Sequence, residues 1–177
     1  MKIKIMSRLE AIHYSTLLHK EKSIIVSISE PTTTNPTFFE NNSILDVLFL
    51  KFDDIIQEEL KVVPHLKLMT KEDVYNIKQF IDKYKDKIDT IIVHCHAGVS
   101  RSSAVACGIC LYLGKDDYYI WNDTYYPNSW CLELMNECLN LGLSKEDIDI
   151  RYKINELSTQ EYVHSECEDG TWRFEKK

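Results

Sequence analysis

Two hydrophobic rhythms alternate along most of the chain. Met1-Lys-Ile-Lys-Ile-Met6 switches between polar and apolar positions, the period of a half-buried strand, which is assigned to Ile3–Met6. Ser23–Ser29 and Thr90–His94 are short β-branched runs without that alternation, as expected of buried strands. Ile44–Phe52 reads as a further strand, ending on the acidic pair Asp53-Asp54. Between these runs the period lengthens. Ser7 stands where it can cap a helix over Arg8–Leu18, and Thr70-Lys-Glu-Asp73 has capping-box spacing, with Asp where Glu or Gln is usual. Behind that box Val74, Ile77, Phe80, Ile81 and Tyr84 recur at helical spacing, which predicts a helix over Thr70–Lys85. Ser102–Leu113 is small and apolar enough for a buried helix stopped by Gly114. Lys115–Tyr125 and Asn128–Leu141 read as two more, the first broken by Pro127, the second capped by Asn128 and closed by Gly142. Ser144-Lys-Glu-Asp147 opens a last helix, and Pro31–Ser43, with its Thr and Pro cluster, is a loop.

Strands alternate with helices first, and helices then follow one another. This order predicts an α/β single domain with a central, mostly parallel sheet flanked by helices. A chain of 177 residues, 44% of them hydrophobic, suffices for one core and not for two. The domain is expected over 1–157, with a polar, loosely held tail over 158–177. No window approaches the roughly 18 unbroken apolar residues of a membrane span. The alternating start lacks the continuous apolar stretch of a secretory signal, so a cytoplasmic location is expected, with the six cysteines as reduced thiols. The net charge of −7 excludes nucleic acid and anionic membrane as partners, since either requires a basic face.

The chemistry concentrates in Val93-His-Cys-His-Ala-Gly-Val-Ser-Arg-Ser102, between a buried strand and a helix. A short strand-to-helix loop turns consecutive amides inward, and the helix N-terminus adds partial positive charge, which together suit a phosphate-sized anion. The amides of His96, Ala97, Gly98, Val99, Ser100 and Arg101 are the candidate cradle, and Gly98 supplies the positive φ such a turn needs. Arg101 stands across the loop from Cys95, with a planar fork suited to two phosphate oxygens. The same field favours the Cys95 thiolate, a nucleophile able to attack phosphorus and form a phosphocysteine intermediate. Ser102 is placed to donate to that sulfur as it leaves, while His94, the last strand residue, points away and orients the loop by hydrogen bonding. A zinc site from His94, Cys95 and His96 is rejected, because neighbouring residues on an extended strand face opposite ways and no second ligand cluster flanks them. No metal or other cofactor is expected.

His94, Cys95, Gly98, Arg101 and Ser102 fill the pattern His-Cys-x-x-Gly-x-x-Arg-Ser. This segment resembles the signature of the cysteine-based protein tyrosine phosphatases, most closely the dual-specificity and small microbial enzymes, and the resemblance extends over about residues 1–145. It implies a phosphatase-like strand–P-loop–helix fold, phosphomonoester hydrolysis through phosphocysteine, and affinity of the loop for phosphate, sulfate or vanadate. It also implies a general acid after an upstream strand, in the arrangement apolar-x-apolar-x-Asp. Leu50-Lys51-Phe52-Asp53-Asp54 fits with Asp54 as that acid; Asp53 is the alternative, one residue away.

The variable loop positions carry no Lys, which disfavours highly charged inositol phosphates and points to a phosphorylated protein or other singly phosphorylated substrate. Two other readings are weighed: a phosphate- or phosphopeptide-binding module without turnover, and a rhodanese-like sulfurtransferase, whose loop is shorter and does not need Arg-Ser. Cys107 and Cys110 are read as core residues, with a disulfide partner for an oxidised Cys95 as the alternative. Tyr118, Tyr119, Trp121, Tyr125, Tyr126 and Trp130 are read mainly as helix packing, with one or two lining the pocket rim.

Overall fold

A computed structural model describes residues 1–160 and the strands 162–166 and 172–176. Four strands form one sheet in the order β1-β4-β2-β3, where β1 is Lys2–Met6, β2 Ser23–Ser29, β3 Ile44–Lys51 and β4 Thr90–His94. Every pairing is parallel. The two inner strands, β4 and β2, are buried at every position, so their unbroken β-branched runs have no polar face to show. Their side chains alternate between two cores. Ile24, Val26, Ile28, Ile91 and Val93 enter the larger cluster, while Ile25 and Ile92 meet Ala11 and Tyr14 on the other face.

That second face is covered by α1 (Arg8–Thr16), started by a reciprocal pair: the Glu10 amide donates to Ser7 Oγ at 3.2 Å, and the Ser7 amide to the Glu10 carboxylate at 2.7 Å. On the first face lie α2 (Lys71–Tyr84), α3 (Arg101–Tyr112) and α4 (Ser129–Leu139). The Thr70–Asp73 box caps α2, so the shorter Asp side chain still reaches the Thr70 amide, at 2.8 Å. Ser144 and Asp147 cap α5 (Lys145–Gln160) in the same way. Beyond it β5 (Tyr162–Glu166) and β6 (Trp172–Lys176) pair antiparallel. The expected domain end at 157 falls inside α5, and the looseness expected of 158–177 lies partly outside the described residues.

Two expectations fail. No helix runs over Lys115–Tyr125; a single 3-10 turn, Tyr118–Ile120, is all that forms. Side chains there bind the local backbone instead: Asp116 accepts from the Tyr118 amide at 2.6 Å and Asn122 from the Thr124 amide at 2.8 Å, a competition with helix that Asp and Asn commonly win. The segment is held by α5, where Arg151 pairs with buried Asp117 at 2.9 Å, Tyr152 donates to the Pro127 carbonyl at 2.8 Å and Asn155 to that of Tyr125 at 2.7 Å. Second, α4 is closed by Asn140, left-handed at φ 51°, ahead of Gly142.

Helices α3 and α4 meet closely at Gly108, where an added Cβ would lie 2.6 Å from Met135 Cε and 2.9 Å from its Cβ. The Met135 tip can swing away but its Cβ cannot. Gly108→Val is expected to lower the unfolding free energy by about 1–3 kcal/mol despite its better helix propensity. Chemical denaturation checks this, and an unchanged midpoint would mean that the helices separate freely.

Candidate functional site

In a parallel sheet all strands end at one edge, and here the ends of β4, β2 and β3 bring Cys95, Glu30 and Asp53-Asp54 to the same rim. The loop 95–100 leaves β4 and enters α3 at Arg101. Its carbonyls are tied outward: that of His96 accepts from the Arg8 amide at 3.1 Å, that of Val99 from Tyr126 at 3.1 Å, and that of Ser100 from Asn128 at 3.2 Å. The Gly98 amide donates to Cys95 Sγ at 3.3 Å, whereas those of His96, Ala97, Val99, Ser100 and Arg101 have no acceptor among the described residues. Gly98 sits at φ +79°, and a Cβ there would lie 2.6 Å from the Ser7 nitrogen and 2.7 Å from the Met6 carbonyl carbon. The loop thus presses its back against the β1–α1 corner.

Cys95 is buried, and Ser102 Oγ lies 3.2 Å from its sulfur. Arg101 is buried as well. Its Nη1 donates to the Phe52 carbonyl at 2.9 Å and its Nη2 to Glu30, while Nε has no acceptor among the described residues. Burial works against the Glu30 charge, but the hydrogen bonds from Arg101 and its own amide hold the carboxyl below the ordinary carboxylate range.

Asp54 and Asp53 part company at the end of β3. The Asp53 carboxylate turns to the Lys67 amide at 2.8 Å. Asp54 faces the loop: its Oδ1 accepts from Ser100 Oγ at 2.7 Å and from Asn128 Nδ2 at 3.0 Å, and its Oδ2 stands 3.9 Å from Arg101 Nε. Asp54, Ile56, Ser100, Tyr126, Pro127 and Tyr152 line a cleft of about 440 Å³ beside the loop. So the structure gathers Cys95, Arg101, Ser102, Ser100 and Asp54, leaves Asp53 aside, and exposes His96, Ala97 and Val99 at the mouth.

His94 lies beneath the loop, fully buried. Its Nε2 is 2.8 Å from Ser27 Oγ and its Nδ1 3.2 Å from the Cys95 carbonyl. A carbonyl only accepts, so Nδ1 carries the proton and Nε2 accepts from Ser27.

Sequence reasoning missed Glu30 and underrated Asn128. Glu30 carried one usable signal, a carboxylate directly after a buried strand, but only the strand order places that strand beside β4. Asn128 is the cap its spacing predicts, its Oδ1 accepting the Cys131 amide at 3.0 Å, and its amide group has a second task at Asp54.

No protein-family model and no curated protein sequence matches the chain. Solved structures similar to it include three phosphatase-like proteins. The human tyrosine phosphatase-like serine/threonine/tyrosine-interacting protein shares 18% identity at a TM-score of 0.48, over 70% of this chain and 80% of that one. Human DUSP28 shares 12% at 0.47, over 88% and 90%. OH1 from the Orf virus, described as a tyrosine phosphatase with triple substrate specificity, shares 17% at 0.36, over 90% and 83%. At these identities the likeness is one of fold.

Burial pushes the His94 ring down to about 4, and the nearby Arg8 and Arg101 charges add to this against the Cys95 carbonyl bond. Between pH 6.5 and about 4 the unfolded ring therefore binds a proton that the folded ring refuses, so its contribution is intact above 6.5 and lost as pH falls. Urea unfolding at pH 7 and pH 4.5 should cost the wild type about 2 kcal/mol more than His94→Gln. Equal losses in the two proteins would contradict this.

Proposed function

We propose that the protein is a metal-independent cysteine phosphatase of the tyrosine or dual-specificity kind, acting on a phosphorylated protein or another singly phosphorylated monoester. The observation that carries this reading is the surrounding of the Cys95 sulfur. It accepts the Gly98 amide and faces Ser102 within a loop whose carbonyls are tied outward and whose far end is Arg101.

The proposed reaction has two steps. The Cys95 thiolate attacks phosphorus, the S–P bond forms, and the bond to the leaving oxygen breaks as Asp54 gives that oxygen a proton. Water then attacks phosphorus, the S–P bond breaks, and Asp54 takes back the proton. The loop amides and Arg101 hold the charge on the equatorial oxygens throughout. Ser102 donates to the sulfur when it departs. The cleft beside Asp54 receives the rest of the substrate, its Tyr126 and Tyr152 walls forming an apolar lining. A thiolate nucleophile requires a reducing compartment, which supports a cytoplasmic location.

Hydrolysis of an aryl phosphate at mildly acidic pH, in EDTA and reductant, tests the reading. Turnover is expected in the wild type and none in Cys95→Ser. Asp54→Asn is expected to lose about 100-fold or more in kcat/KM on phenyl phosphate, whose leaving group needs a proton, and far less on 4-nitrophenyl phosphate. A folded, reduced wild type that binds phosphate without turning over would instead identify a binding module.

A further inference from the structure

Three segments distant in sequence meet at one buried side chain. Asn128 Nδ2 donates to Asp54 Oδ1 at 3.0 Å and to the Ile55 carbonyl at 3.3 Å, its Oδ1 caps α4 at Cys131, and its backbone amide holds the Ser100 carbonyl of the anion loop. A helix cap needs only the oxygen. The amide NH2 group, spent on the acid and its neighbour, is surplus to capping, and Ser or Asp would cap as well without it.

We propose that Asn128 is a positioning residue for proton transfer by Asp54, an inference that rests on the phosphatase reading. A neutral carboxyl has one oxygen that accepts and one that donates. Asn128 and Ser100 both donate to Oδ1, so Oδ1 is fixed as the accepting oxygen and the proton is assigned to Oδ2. Oδ2 is the oxygen turned toward Arg101 Nε, at 3.9 Å, and hence toward the loop. When the proton passes to the leaving oxygen, Asp54 becomes a carboxylate, and hydrogen bonds to a carboxylate are stronger than those to the neutral acid. The two donors therefore stay engaged through the transfer and hold the carboxyl in place. Asp54 is more than a third exposed, on a strand end with no helix of its own to fix it, so without Asn128 its carboxyl can rotate away.

The test uses Asn128→Ser and Asn128→Asp, both of which keep the cap and remove the donor. Unfolding midpoints are measured first, to confirm that the cap survives. kcat/KM, which reports the chemistry up to phosphocysteine, is then compared for phenyl and 4-nitrophenyl phosphate. The expected result is a loss of about 10-fold or more on phenyl phosphate against less than 3-fold on 4-nitrophenyl phosphate, the larger loss falling where a proton is needed. In an Asp54→Asn background, Asn128→Ser should add no further leaving-group dependence, because the two act as a unit. Equal losses on both substrates would make Asn128 merely structural and overturn the proposal. A leaving-group effect in Asp54→Asn with none in the Asn128 variants would overturn it while sparing the acid. No effect in Asp54→Asn would overturn the acid assignment and this proposal together.

Discussion

The outward anchoring of the loop carbonyls is the constraint on which the site rests. A six-residue turn between strand and helix has as many carbonyls as amides, and both seek partners. Amides converge on an anion only if the carbonyls are occupied elsewhere. Here three of them, those of His96, Val99 and Ser100, are taken by Arg8, at the head of α1, and by Tyr126 and Asn128, at the approach to α4. The β1–α1 corner and the irregular segment before α4 are thus parts of the proposed anion site. The same dependence explains Gly98, whose absent side chain lets the loop lie against the Met6–Ser7 backbone. It also gives α5 a function at a distance, since its Arg151, Tyr152 and Asn155 hold the stretch that supplies those donors.

A buried guanidinium in a chain of net charge −7 raises the question of its counter-ion. Leaving Arg101 unpaired would carry the full penalty of a desolvated charge. Glu30 and the Phe52 carbonyl relieve it, yet Nε stays without an acceptor among the described residues. The pairing is therefore incomplete in the direction of the loop. Under the proposed phosphatase reading, an anion in the cradle completes it, with Glu30 holding the guanidinium plane. The acidic surface and the locally positive site are compatible because the positive charge is confined to one buried group and a set of amides.

The strands and most helices were legible because their signals are local. β-branched runs without alternation occur where both faces are covered, and Ser7, Thr70, Asn128 and Ser144 cap where their spacing says. The anion loop was legible for the same reason: Cys95, Gly98, Arg101 and Ser102 lie on one short segment, and a loop so placed has few conformations. What escaped depends on long-range placement. Glu30 matters only because β2 lies beside β4, and Asn128 only because α4 starts against the end of β3. The helix wrongly expected over Lys115–Tyr125 failed because Asp116 and Asn122 close turns, while only Ile120 and Trp121 of its aromatic and apolar positions are buried and Tyr118 and Tyr119 stay exposed. Exposed Tyr119 instead reaches across to donate to the Ile3 carbonyl on edge strand β1.

The surroundings of the other thiols set Cys95 apart. Cys107 is buried, its Sγ donates to Asp117 at 3.1 Å, and burial followed by that carboxylate drives its thiol far up. Burial does the same to Cys131, followed by the charge of Asp54, and raises Cys110 as well. A thiol held protonated is a poor nucleophile and a poor partner in disulfide exchange. Among the described cysteines only Cys95 has its sulfur accepting a backbone amide. Burial and the negative charge of Asp117 thus keep the Cys107 thiol protonated within α3. The two sulfurs also differ in place: one lies just before the N-terminus of α3, where the Gly98 amide donates to it, and the other lies midway along that helix, where the amides are already taken.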